Sequence, residues 1–172
     1  MKKRASLMIA AAALVAMTVV PAFAEEVETT STEFSYVQEN EPTYTVTIPG
    51  SLALSKEGTS LDITATDVAD LGDKRVAVSI SGTNYFRNQL VLQAKTSNSS
   101  YTSVLRYQLI GADGTVIETT GQDTVSGTEI ASFTENGSVS YTAKPVLGTT
   151  GQNLEPGVSY TGTMTFGIAL TE

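Results

Sequence analysis

The sequence predicts an all-β protein, an antiparallel β-sandwich of about nine strands. Three observations carry that expectation. Apolar residues recur at every second position through most of residues 43–172. Turn pairs such as Pro49-Gly50, Asp113-Gly114 and Asn136-Gly137 punctuate the runs. Threonine fills many of the alternate positions, as suits strands with one wet face. No segment after residue 24 carries a sustained helical period. A closed β-barrel is the alternative architecture.

The elements follow in order. Tyr44, Val46 and Ile48 alternate with Thr43, Thr45 and Thr47, and Leu52 and Leu54 come after the Pro49-Gly50 break. Leu61, Ile63 and Ala65 form one face of a second strand, and Val76, Val78 and Ile80 one face of a third. Between them VADLGDK (68–74) has room for one helical turn at most. NQLVLQAK supplies Leu90 and Leu92. Leu105, Tyr107 and Leu109 lead through Gly111-Ala112-Asp113-Gly114 into a hairpin. Asn136-Gly137 predicts a second hairpin, joining EIASFTE to SVSYTAKPV, with Pro145 ending the strand or lying at an edge. The last strand runs from Tyr160 to Thr171. At about 3.3 Å per residue it is long for a single strand. Gly162 or Gly167 is therefore expected to bend it so that it serves both sheets, with the Tyr44–Ile48 strand as its mate.

The N-terminal residues MKKRASLMIAAAALVAMTVVPAFA predict an export leader (1–24). Lys2, Lys3 and Arg4 precede an apolar stretch, and Ala22-Phe23-Ala24 fits a cleavage site. The stretch is shorter than the roughly 20 residues of a membrane span. Residues 25–42 hold six Glu and no cation, and predict a solvated lead-in, with Phe34 and Tyr36 alternating in a candidate short strand. Residues 43–172 then make one domain. The whole chain has 10 Lys+Arg against 18 Asp+Glu. Removing the three leader cations leaves 7 against 18, a net charge of −11. Such a surface disfavours nucleic acid and anionic lipid, so neither nucleic acid nor membrane is an expected partner after cleavage.

The first and last strands, YTVTIPGSLALS and YTGTMTFGIALT, resemble the framing strands of secreted Gram-positive surface proteins of the WxL-domain kind. The likeness spans the two ends of the domain. It implies a cell-surface location and non-covalent wall association. The chain departs from that pattern in having no Trp, and Phe166-Gly167-Ile168 stands where Trp-x-Leu would be expected.

The chemical inventory is narrow. The chain has no His and no Cys, which removes Ser-His-Asp and Cys-His catalysis and the usual zinc, haem and copper ligand sets. No cofactor and no catalytic residue are expected. Asp67, Asp70 and Asp73, with Asp62 nearby, are the candidate calcium ligands, although their spacing is not that of an EF-hand; a solvated acidic connection is the competing account. Tyr85, Phe86 and Tyr101, each beside a turn or loop, are the candidate glycan platform; ordinary packing competes there.

These features predict a non-catalytic structural or interaction module of the bacterial cell surface, secreted and probing a cell-wall polymer, a surface protein or itself. Two alternatives stand beside it. One is a self-assembling fibre or surface-layer subunit that adds its Phe34/Tyr36 segment to a neighbour's sheet edge. The other is a calcium- or glycan-binding module.

Overall fold

The computed structural model describes residues 33–38 and 40–172. The expected leader (1–24) and half of the acidic segment 25–42 lie outside the described residues. Residues 33–38 carry no secondary structure, and the expected strand at Phe34 and Tyr36 is absent. From residue 38 onward the chain forms a unit of its own.

That unit is an antiparallel two-sheet structure of nine strands: β1 (Thr43–Thr47), β2 (Thr59–Ala69), β3 (Arg75–Thr83), β4 (Val91–Gln93), β5 (Val104–Gly111), β6 (Val116–Ile117), β7 (Glu129–Phe133), β8 (Gly137–Pro145) and β9 (Met164–Thr171). The wider sheet has the order β1-β2-β8-β5-β4, with β6 also paired to β5. It curls into a half-barrel without closing, so the structure is a sandwich and not a barrel. The narrower sheet has the order β7-β3-β9.

Alternation explains the core. Ile63 in β2, Val76, Val78 and Ile80 in β3, and Leu109 in β5 are each at most 1% exposed. Successive strand side chains point to opposite faces, so each of these rows is buried between the sheets while its neighbours face out. On the outer face of the narrow sheet, Arg75 donates to Glu129 at 2.6 Å and to Ser132 at 3.0 Å. The β5–β6 hairpin forms as expected, with Gly114 N–H donating to the Gly111 carbonyl and Asp113 accepting from the Thr115 amide.

Two connections differ from expectation. The first strand does not mate with the last: β1 pairs with β2, and β9 pairs with β3. The row on β3 is the most deeply buried, and it needs a strand on each flank, which β7 and β9 supply. Asn136-Gly137 is not a hairpin turn, because β7 lies in the narrow sheet and β8 in the wide one. Neither residue takes the positive φ that a type I′ turn requires. Asn136 instead accepts the Val68 N–H on its Oδ1 at 2.9 Å, so the side chain substitutes for a ladder partner near the end of β2. VADLGDK, with room for one helical turn at most, forms none. β2 runs to Ala69, and a tight turn with Lys74 N–H on the Leu71 carbonyl carries the chain across to β3.

Candidate functional site

The last strand does serve both sheets, and the hinge is at Gly162. Gln93 and Thr161 form a two-way backbone bridge, N–H to carbonyl at 2.8 and 2.9 Å, that attaches the approach to β9 to the wide sheet. Three residues later Met164 pairs with Thr83 in the narrow sheet. A Cβ at Gly162 would meet Leu92 Cδ2 at 3.0 Å and the Val91 carbonyl at 3.1 Å. A side chain there would press on β4 and make its neighbours give way by a few tenths of an ångström, so glycine suits the close crossing at that point.

This crossing forms one wall of a cleft. Its opposite wall is the connection between β1 and β2, where Leu52 and Leu54 point an apolar pair at the sheets without forming a strand. That connection is tied into a compact loop. Thr59 Oγ1 accepts from the Ser55 amide at 2.9 Å and donates to the Ala53 carbonyl at 2.8 Å. Gly58 closes the loop at φ +109° and lies so near β8 that a Cβ would run into Thr142 Cγ2. Met164 and Phe166 of β9, Leu92 of β4, Tyr107 and Leu109 of β5, Leu61 of β2 and Ala143 of β8 also line it. The volume is about 340 Å³. A second cavity of about 450 Å³ shares Leu52, Leu54, Leu92 and Gly162 with it and extends to Tyr160 and Pro145.

Among the described residues no Asp, Glu, Lys or Arg lines either cavity. Tyr107 is the phenol of the first one, and burial pushes its hydroxyl up to about 12. It therefore stays neutral at physiological pH and offers a hydroxyl dipole, not a base. The chemistry of the cleft is that of an apolar socket with few polar groups, suited to side-chain insertion. Tyr160 is fixed at its far end, donating to the Thr102 carbonyl at 2.7 Å and accepting from the Glu155 amide at 3.2 Å.

The sequence-predicted sites lie elsewhere. Asp67, Asp70 and Asp73 are not gathered into a cation site: among the described residues no group of three or more acidic side chains is placed to hold a metal ion. Asp67 sits at a bulge of β2 with φ 55°, where β1 skips from Ala69 to Thr66. Asp70 accepts from Asn40 Nδ2 at 3.1 Å, and Asp73 lies beyond Gly72 in the turn. Strand alternation and the turn thus separate carboxylates that are close in sequence. Asp62 faces out from β2, where hydrogen bonds from Ser140 and Ser60 hold its carboxyl below the usual range.

The aromatic trio is divided as well. Tyr85 and Phe86 lie on the β3–β4 connection and Tyr101 on the β4–β5 connection, and none of them lines the cleft. Phe86 is 70% exposed, but the Arg87 guanidinium stands 5.2 Å from its ring centroid and occupies a ring face that a sugar would need. Tyr101 is half-buried in a loop held by Asn153, whose carbonyl accepts from the Thr102 amide at 2.7 Å.

Sequence reasoning missed the cleft. Its one local signal is the Leu52/Leu54 pair between Pro49-Gly50 and Gly58, an apolar alternation flanked by turn residues. Comparison with protein-family models, with curated proteins and with solved structures finds no match to this chain.

Proposed function

We propose that this protein is an exported, non-catalytic interaction module of a bacterial cell surface. The observation that carries the reading is the uncharged apolar cleft, built where the final strand crosses between the sheets. The hydroxyls of Ser51, Tyr107 and Thr163 line the cleft with no carboxylate, imidazole, thiol or ammonium group beside them among the described lining residues to activate them, which supports binding over acid–base or nucleophilic chemistry. The leader-like N-terminus supports export, and the acidic composition supports a partner other than nucleic acid.

The test is fractionation of a Gram-positive host producing the full chain, followed by incubation of the exported protein with washed cell walls. The reading predicts a processed N-terminus at Glu25 and co-sedimentation with the wall fraction. Retention in the cytoplasm would overturn export, and full recovery in the supernatant after mixing with walls would overturn the wall-associated role.

A further inference from the structure

The two sheets are unequal. The wide sheet has six strands and the narrow one three. Strand β9 ends the narrow sheet, and no described strand pairs with its outer edge. Such an edge presents unpaired N–H and carbonyl groups, a template for another strand.

The apolar row of β9 is also incompletely covered. Antiparallel partners share a face. Ile168 is paired with Val78, which is 0% exposed, yet Ile168 itself is 42% exposed. Phe166 and Leu170, either side of it on that row, are only partly buried. Met164 and Phe166 at the start of the row line the cleft. A free backbone edge, a half-covered apolar row and an uncharged socket therefore coincide on one strand.

A segment of matching character exists in the same chain. Residues 33–38 read EFSYVQ, and Phe34, Tyr36 and Val37 are 91%, 85% and 82% exposed. In an extended strand Phe34 and Tyr36 would share a face about 7 Å apart, the spacing of Phe166 and Ile168 on β9. Aromatic rings supply the large buried area that short segments need. The segment has no proline and no cation. Positions 39–42 alone connect it to β1, which belongs to the wide sheet, whereas a second copy brings the same residues without that tether.

We infer that residues 33–38 of a second copy of this chain lie along the outer edge of β9 as a fourth strand of the narrow sheet, with an aromatic side chain in the cleft lined by Met164 and Phe166. This rests on the reading of the protein as an interaction module and names its partner. Donor and receptor are different surfaces, so the contact is heterologous: each copy receives one segment and offers another, and the assembly is open-ended.

The test uses protein exported from the host with its own leader, followed by light scattering across a concentration series. The wild-type chain should give a ladder of oligomers. Phe34→Asp combined with Tyr36→Asp removes the donor without touching the domain and should give monomer. Ile168→Glu spoils the receptor and should also give monomer. An equimolar mixture of the two variants retains one good donor and one good receptor, and should give heterodimer and nothing larger. A labelled peptide of residues 33–38 should bind the donor-deficient protein, which keeps the test decisive if Ile168→Glu fails to fold. Wild-type monomer at every concentration would overturn the inference. So would dimers that survive loss of the donor, or a monomer whose own residues 33–38 are protected from amide exchange. A strictly monomeric protein that still co-sediments with walls would sink this inference alone; oligomers that ignore walls would sink the wall-associated reading alone.

Discussion

Gln93 and Thr161 exchange backbone hydrogen bonds at 2.8 and 2.9 Å across the gap between the sheets. That bridge lets one segment belong to the wide sheet through β4 and, three residues later, to the narrow sheet through β3. It creates the cleft, since the crossing strand forms one wall. It also makes the end of the chain a structural closure, because β9 flanks the β3 row of Val76, Val78 and Ile80, each 0% exposed.

The hinge residue gives the first prediction. Gly162→Val forces a side chain against Leu92 at 3.0 Å and the Val91 carbonyl at 3.1 Å. The expected loss is about 1–3 kcal/mol, the range for overpacking, read from denaturant unfolding. Gly50→Ala is the control, since a Cβ there meets nothing within 4 Å, and it should stay within about 0.5 kcal/mol of wild type.

A second prediction concerns the tie between sheets at the other flank. Tyr141 on β8 donates its hydroxyl to the Ile130 carbonyl on β7 at 2.8 Å. Ile130 is the bulged residue of β7, because β3 pairs Val78 with Ala131 and Ser79 with Glu129. Its carbonyl is thus available to a side chain. Tyr141→Phe should cost about 1–3 kcal/mol by leaving that acceptor unpaired, measured as a shift in denaturation midpoint at constant slope.

The cleft phenol predicts an alkaline weakness. In the unfolded chain a tyrosine titrates near pH 10, whereas burial holds Tyr107 at about 12 in the folded protein. Above pH 10 the unfolded state therefore releases a proton that the native state keeps, so stability is complete below that pH and falls as pH rises toward 12. Tyr141, raised by burial and then by Asp113, adds to the same limb. Tyr107→Phe should make the decline shallower in unfolding curves taken across that window. An unchanged decline would show that the phenol is not buried as described.

Thr171, at the end of β9, has a buried hydroxyl without a hydrogen-bond partner among the described residues. Thr171→Val replaces it with a methyl of similar shape. The expected gain is about 1 kcal/mol, the relief of one unsatisfied buried group, seen as a higher melting temperature.

The sequence made the strands legible because a half-buried strand must alternate, and rows such as Val76, Val78 and Ile80 announce their inward face directly. A bend at Gly162 or Gly167 was legible for a related reason: twelve residues of alternation exceed the usual length of one strand. Sheet membership was not legible. Alternation separates inside from outside but does not say which sheet a strand joins, so Asn136-Gly137 reads as a hairpin although it links β7 to β8 across the sandwich. The mate of β9 was hidden likewise, since β1 and β3 show equally good periods. The cleft was illegible because its walls come from residues far apart in sequence, Leu52, Leu92, Tyr107 and Phe166 among them. The acidic stretch left two readings open, a calcium site and a solvated connection: Asp67, Asp70 and Asp73 are neighbours in sequence, but the bulge and the turn divide them.

The closure role of the final segment is tested most directly by removing residues 158–172 and recording circular dichroism together with sedimentation velocity. Truncation uncovers the β3 row and deletes the Gln93–Thr161 bridge, so the shortened chain should lose cooperative unfolding and sediment as expanded or aggregated material. A compact, soluble product with an intact β spectrum and a sharp melting transition would contradict the account.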